Sequence, residues 1–287
     1  MGSGSFSSSS FADYSRKAGR VYHADTGRVS GQTFKTSKLD PSLDPRKFTV
    51  RECANTEEHP NTIPVILALD VTGSMGEACR ETAEALGVII TNLYKKFQDI
   101  EFCVMGVGDF AYDDAPMQMS QFESDVRIAE ALDKIWLEHG GGGNGYESYT
   151  AAWYMGLYRT KLDCYDQQGR KGIIITMGDE PLNPYIPRQE LYAKANSSEQ
   201  SDVETPILFK EASKKFDIFH IAVDSPKDCY DRYAKDIESS FGQVLGSRLK
   251  VATIQQLAGT IEDCIAESVQ GAPSSSTFVN ENGEISW

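Results

Sequence analysis

Short, almost unbroken apolar runs constrain this chain most. Ile63 to Leu69 reads IPVILAL and Gly172 to Thr176 reads GIIIT. Continuous rather than alternating apolar character fits strands covered on both faces, as in parallel sheets. Ile100 to Val107, with Phe102, Val104 and Val107 as apolar members, and Phe216 to Val223 read as two further strands. Segments with helical spacing lie between them: Glu77 to Phe97, Ser124 to Glu138 and Ser148 to Leu162. A helix near Cys229 to Ser239, a short strand at Leu249 to Ala252 and a helix from Ile254 to Val269 complete the pattern. Strands alternating with helices predict an α/β fold with a doubly wound, mostly parallel central sheet flanked by helices.

The flanks read differently. Residues 1 to about 12 are rich in Gly and Ser and are expected to be flexible. From there to Thr62 the chain is polar, with turn formers at Asp40-Pro41 and Asp44-Pro45 and a short strand at Phe48 to Val50. Residues 1–62 are therefore predicted as an N-terminal arm, 63–270 as the body, and 271–287 as a loose C-terminal tail.

A formal net charge of −14, from 28 basic and 42 acidic residues, repels nucleic acid and anionic membranes. No apolar run approaches the roughly 20 residues of a membrane helix. The start, MGSGSFSSSS, has neither the charged residues nor the apolar core of a secretory signal. The expectation is a cytoplasmic protein with no nucleic-acid or membrane partner. The six cysteines are widely spread with no CxxC pair, which suits reduced, buried thiols.

Ligands of open α/β sheets sit beyond the carboxyl ends of the strands, and three such ends carry unusual chemistry. The first strand runs into Asp70-Val71-Thr72-Gly73-Ser74-Met75-Gly76. One carboxylate and two hydroxyls, spaced two residues apart on a turn loosened by glycine, can address one centre. Such oxygens suit a small hard cation; the rival reading is that Asp70 or Ser74 caps the next helix. The strand ending at Thr176 continues into Met177-Gly178-Asp179-Glu180-Pro181, whose Asp179 either completes that site or forms a turn. Between them lies the loop GGGGNGYES, Gly140 to Ser148, which lets backbone approach a ligand closely. It lacks the GK[ST] of a phosphate-binding loop. Asp109, Asp113 and Asp114 follow the second strand and are read as a solvated acidic loop, the alternative being that they shape the rim or offer a second cation site. His139 and His220 have no partner at ligand spacing and are read as structural. Trp136, Trp153 and the neighbouring tyrosines are read as packing.

Asp70-x-Thr72-x-Ser74 resembles the D-x-[ST]-x-S metal-ion-dependent adhesion site of von Willebrand factor A domains, and Thr176-Met-Gly-Asp179 resembles that family's strand-end aspartate. GGGGNGYES and GDEPLNP are similar to the corresponding stretches of a bacterial intracellular and alpha-kinase-associated subgroup. Arg51-Glu52 and His59-Pro60 also resemble it, and the likeness covers about residues 50 to 265. It implies Mg²⁺ or Mn²⁺, with Ca²⁺ less favoured, held by Asp70, Thr72 and Ser74 with Asp179 nearby. Classical members add a threonine from the third loop. This chain offers Asn144, Glu147, Ser148 and Thr150 there, of which Asn144 and Glu147 match the subgroup.

The implied function is a metal-dependent protein-binding adaptor or scaffold rather than an enzyme. It would serve in a bacterial or phage system of stress response or defence. A partner's carboxylate would bridge to the metal, and the partner could be an AAA+ ATPase or another operon product. The alternatives are a Mg²⁺-dependent phosphohydrolase, which needs an acid/base Asp where Thr72 stands, and an extracellular adhesin.

Overall fold

The computed structural model describes residues 4–97, 99–138, 144–224 and 230–271. The expected tail beyond Gly271, His139, the glycines 140–143 and Cys229 lie outside the described residues.

The segment read as a flexible arm is folded onto the body. Helix α1 (Ser8–Lys17) starts where the Ser7 hydroxyl accepts the Ser10 amide at 3.1 Å and closes a capping box. Its Phe11 is buried with Phe6 in the same apolar cluster as the central sheet. Gly87 makes that docking possible: a Cβ there would stand 2.5 Å from the Phe11 ring. Strands β1 (Val21–His23) and β2 (Arg28–Ser30) form an antiparallel hairpin. The next strand, β3 (Arg51–Cys53), starts just past the predicted Phe48–Val50. Two aromatic anchors and a cap thus outweigh the Ser-rich composition that suggested flexibility.

The body follows the predicted alternation. Strand β4 (Ile63–Asp70) leads to α2 (Gly76–Lys96), then β5 (Ile100–Val107) and the short β6 (Met117–Met119). Helix α3 (Arg127–Asp133) is shorter than Ser124 to Glu138. Beyond it, the side-chain amide of Gln118 in β6 pairs with both the N–H and the C=O of Trp136, each at 2.8 Å, in place of helical hydrogen bonds. Helix α4 (Thr150–Arg159) likewise stops early, because β7 (Thr160–Leu162) pairs in parallel with β3. A single turn, α5 (Asp163–Asp166), precedes β8 (Gly172–Gly178). Strand β9 (Tyr185–Ile186), α6 (Arg188–Ala195), β10 (Val203–Glu204) and α7 (Thr205–Lys215) follow. The chain ends its described part with β11 (Phe216–Asp224), α8 (Tyr230–Leu245), β12 (Leu249–Thr253) and α9 (Leu257–Gln270).

The six-stranded sheet has the order β12-β11-β8-β4-β5-β6, parallel except for β6. Successive residues of β4 point to opposite faces. Val65, Leu67 and Leu69 join α2 and α9 in one core, while Ile66 and Ala68 join α4, α7 and α8 in the other. The fold is thus doubly wound, as the apolar runs imply. Strands β4 and β8 are spatial neighbours but not chain neighbours. Their connections leave in opposite directions, so the sheet's switch point lies between their carboxyl ends. Among the described residues, no helix is long and apolar enough to cross a membrane. Cys53, Cys79, Cys103, Cys164 and Cys264 are buried free thiols.

Candidate functional site

Asp70 closes β4 and Asp179 follows β8, so the two carboxylates flank the switch point, and both are fully buried. Asp70 Oδ1 accepts the Thr72 amide at 2.9 Å and the Thr72 hydroxyl at 2.5 Å. The Ser74 hydroxyl crosses the gap and donates to Asp179 Oδ1 at 3.0 Å. Neither Asp70 nor Ser74 caps the helix that follows: Met75 holds the cap position of α2, with no side-chain hydrogen bond. The cap reading of this turn is thereby ruled out, since its polar side chains face one another across the sheet end.

Tyr149 supplies the third side of the gap. Its hydroxyl donates to Asp70 Oδ2 at 2.8 Å and accepts the Glu180 amide at 3.4 Å, linking the β4 and β8 loops. Gly178 leaves room for it, because a Cβ there would lie 1.9 Å from the Tyr149 oxygen. Sequence reading placed the tyrosines of this helix in packing and so missed Tyr149's polar role; nothing in its spacing signals a buried aspartate partner.

The third loop arrives beside these groups. The Glu147 amide donates to the Pro181 carbonyl at 3.2 Å, and Glu147 forms an isolated bridge with Leu182. The Ser148 hydroxyl accepts the Phe110 amide at 3.1 Å, and the Thr150 hydroxyl accepts from Asn183 at 2.6 Å. Both hydroxyls are committed elsewhere. Glu147 is only 1% exposed, and its Oε2 accepts no hydrogen bond. Asn144 is half-buried, and its Nδ2 has no hydrogen-bond partner among the described residues.

The acidic loop after β5 departs from expectation. Asp109 and Asp113 are buried, and only Asp114 is exposed. Their carboxylates accept main-chain amides: Asp109 Oδ1 from Ala111 at 2.8 Å and Asp113 Oδ2 from Asp109 at 2.7 Å. These amide bonds draw the side chains inward, where a solvated loop would have left them free. His220 is structural as expected. It is buried, stacked on Phe241 at 3.8 Å and hydrogen-bonded to Thr176 at 2.8 Å.

Concentrated negative charge dominates the electrostatics. Burial raises the Asp70 carboxyl above its usual range, and Asp179 adds to this; hydrogen bonds from Thr72 and Tyr149 oppose it. Glu147 is raised by burial first, then by Asp70, Glu180, Asp109 and Asp113. Among the described residues, no group of three or more His, Cys, Asp and Glu side chains is arranged to hold a metal on its own. Any cation here must also draw on the Thr72 and Ser74 hydroxyls. Carboxylate and hydroxyl oxygens around an unpartnered buried carboxylate fit a hard divalent cation. The Cys79 thiol is occupied with the Asp70 carbonyl at 3.1 Å.

No family model matches the sequence, and no curated protein matches it. Among solved structures, the chain is similar to the pilus adhesin SpaC from Lactobacillus rhamnosus GG in its open conformation. The TM-score is 0.52 at 10% identity, covering 76% of this chain and 31% of that one. A second structure of SpaC gives 0.51 at 11% identity, covering 76% and 32%. The vWF domain of the type V pili tip protein Mfa5 from Porphyromonas gingivalis aligns at 0.42 and 12% identity, over 73% of this chain and 96% of that one. The likeness to SpaC is one of fold, and this chain spans about a third of SpaC's length.

Proposed function

We propose that this chain is a von Willebrand factor A-like protein-binding module whose contact centre is a divalent cation, Mg²⁺ or Mn²⁺. Asp70, Thr72, Ser74 and Asp179 would hold the cation, with Glu147 or Asn144 supplying the third-loop ligand. One observation carries this reading: a buried Asp70 and Asp179 flank the switch point, and an unpartnered Glu147 oxygen lies beside them. A buried carboxylate left without a partner is strongly unfavourable, and a cation relieves several at once.

The chain's own residues divide the work. The Thr72 hydroxyl and amide fix the rotamer of Asp70, and Tyr149 holds its second oxygen. Ser74 ties the β4 turn to Asp179, which keeps the two strand ends at one spacing. An open coordination position would take a carboxylate from another protein, so binding would depend on metal. Glu147 adds a third negative charge, which weakens the pull on an acidic partner. The affinity is therefore expected to be modest, and the contact reversible.

A phosphohydrolase reading finds no support in the turn. Thr72 stands where the acid/base aspartate would be, and an aliphatic hydroxyl does not exchange a proton near neutral pH as a carboxyl does. Isothermal titration of wild type and Ser74→Ala with Mn²⁺ tests the proposal. It expects binding in wild type and at least tenfold weaker binding in the variant, because one ligand and one loop tie are lost together. Equal binding by both proteins contradicts the assignment.

A further inference from the structure

An asparagine followed by glycine exposes its side-chain amide to attack by the next main-chain nitrogen, because glycine has no Cβ to obstruct the approach. The chain contains this pair twice, at Asn144-Gly145 and Asn282-Gly283. The first lies in the third loop just ahead of Glu147, which bridges to Leu182 of the β8 loop. Gly145 has φ +71°, the left-handed backbone that glycine adopts without strain. Both reacting groups are unengaged among the described residues. The Asn144 Nδ2 has no hydrogen-bond partner, and the Gly145 amide donates to no acceptor. Other asparagines are held: Asn196 by the Arg46 carbonyl at 3.4 Å, Asn92 by Glu262 at 3.0 Å and Asn183 by the Thr150 hydroxyl at 2.6 Å. Each of these must break a hydrogen bond before its amide can turn onto the following nitrogen, and none is followed by glycine.

We propose that Asn144 is a deamidation site, at which the third loop exchanges a neutral amide for a carboxylate. The Gly145 nitrogen gives its proton to hydroxide or a buffer base and bonds to Asn144 Cγ. The Cγ–Nδ2 bond breaks, and the amide nitrogen takes a proton from water and leaves as ammonia. One water then opens the five-membered succinimide at either carbonyl, which leaves aspartate or isoaspartate at 144. No oxidant, reductant or cofactor is consumed. Either product makes the chain one unit more negative than its present −14. The consequence for cation binding rests on the proposed cation site, whereas the reaction does not. A carboxylate at 144 is a better oxygen ligand for a hard cation than an amide, so conversion strengthens the third loop's hold on Mg²⁺ or Mn²⁺.

The test holds the full chain for days at neutral and at mildly alkaline pH, then digests it briefly with trypsin. The Ile135–Arg159 peptide, in which Asn144 is the one asparagine, is weighed. The expected result is a mass increase equal to the difference between NH₂ and OH, faster at the higher pH, with electron-transfer fragmentation showing isoaspartate beside aspartate. Asn144→Gln should abolish the increase, since its longer side chain would have to close a six-membered ring. An unchanged wild-type peptide overturns the proposal, whether or not the Asn282-Gly283 pair converts, and so does the same increase in Asn144→Gln. Mn²⁺ titration of fresh wild type and Asn144→Asp reads the consequence, with about tenfold tighter binding expected in the variant. Equal binding by both overturns the gain in affinity. Conversion with no Mn²⁺ binding by either protein leaves the modification standing and defeats the cation reading.

Discussion

Replacing Gly178 by alanine tests how the site is built. The added methyl carbon would stand 1.9 Å from the Tyr149 hydroxyl oxygen, 2.3 Å from Cζ and 2.4 Å from Cε1. Tyr149 is fully buried between His220 and Phe241, with ring centroids at 4.8 and 5.6 Å, so its ring has no free space to enter. Overpacking of this kind costs about 1–3 kcal/mol. Displacing the hydroxyl also breaks its bond to Asp70, about 1.5–3 kcal/mol for a bond to a charged group. The combined loss is about 2.5–6 kcal/mol, which at the roughly 2–4 °C per kcal/mol of large domains lowers the melting temperature by roughly 5–24 °C. Thermal unfolding followed by circular dichroism reads this directly. Gly259→Ala in α9 is the control: nothing lies within 4 Å of its Cβ, and a helix-interior Gly→Ala change stabilises by about 0.5–1 kcal/mol. If Gly178→Ala melts within a degree or two of wild type, Tyr149 does not occupy the space between β8 and Asp70.

Tyr149→Phe keeps the ring and removes the donor to Asp70; Mn²⁺ affinity by titration is expected to fall about tenfold, the worth of one charged hydrogen bond. In EDTA, the raised carboxyl of Asp70 makes the metal-free fold less stable as pH rises above the ordinary carboxylate range, because the native state then holds a proton the unfolded chain has lost. Asp70→Asn should flatten that decline in urea titrations between about pH 5 and 8. Burial pushes His220 down to about 3. Between about pH 6.5 and 3 the unfolded chain therefore binds a proton the native state refuses, and stability drops by about 1.4 kcal/mol per pH unit on acidification. His220→Phe should remove that component, seen as a shallower acid limb than wild type.

The chain announces its sheet because buried parallel strands leave little room for polar residues. Ile100–Val107 is found at its predicted bounds, and β4, β8, β11 and β12 extend theirs by only one or two residues. The segment from 180 to 215 gave no such signal. Strands β9 and β10 have two residues each, and α6 buries only Leu191 and Ala195, too little for a helical stripe to show. Composition misled at the amino terminus, where serines surround Phe6 and Phe11 and the anchoring comes from those two side chains. In the site, Asp70, Thr72, Ser74 and Asp179 could be found because strand-end turns place them by chain position alone. The role of Tyr149 and the burial of Asp109 depend on which loops meet across the sheet, and that is set by strand order rather than by any local pattern.

The central claim is that this pocket of carboxylates and hydroxyls binds a divalent cation in the native state. Melting temperatures of wild type and Asp70→Ala, first in EDTA and then with millimolar Mg²⁺, Mn²⁺ or Ca²⁺, test it most directly. A ligand bound only by the folded chain stabilises it by about 2.7 kcal/mol at a hundredfold excess over Kd. The account predicts a rise of several degrees in wild type, with Mg²⁺ or Mn²⁺ the most effective, and none in Asp70→Ala, which should remain folded. No rise in wild type, or an equal rise in both proteins, would contradict it.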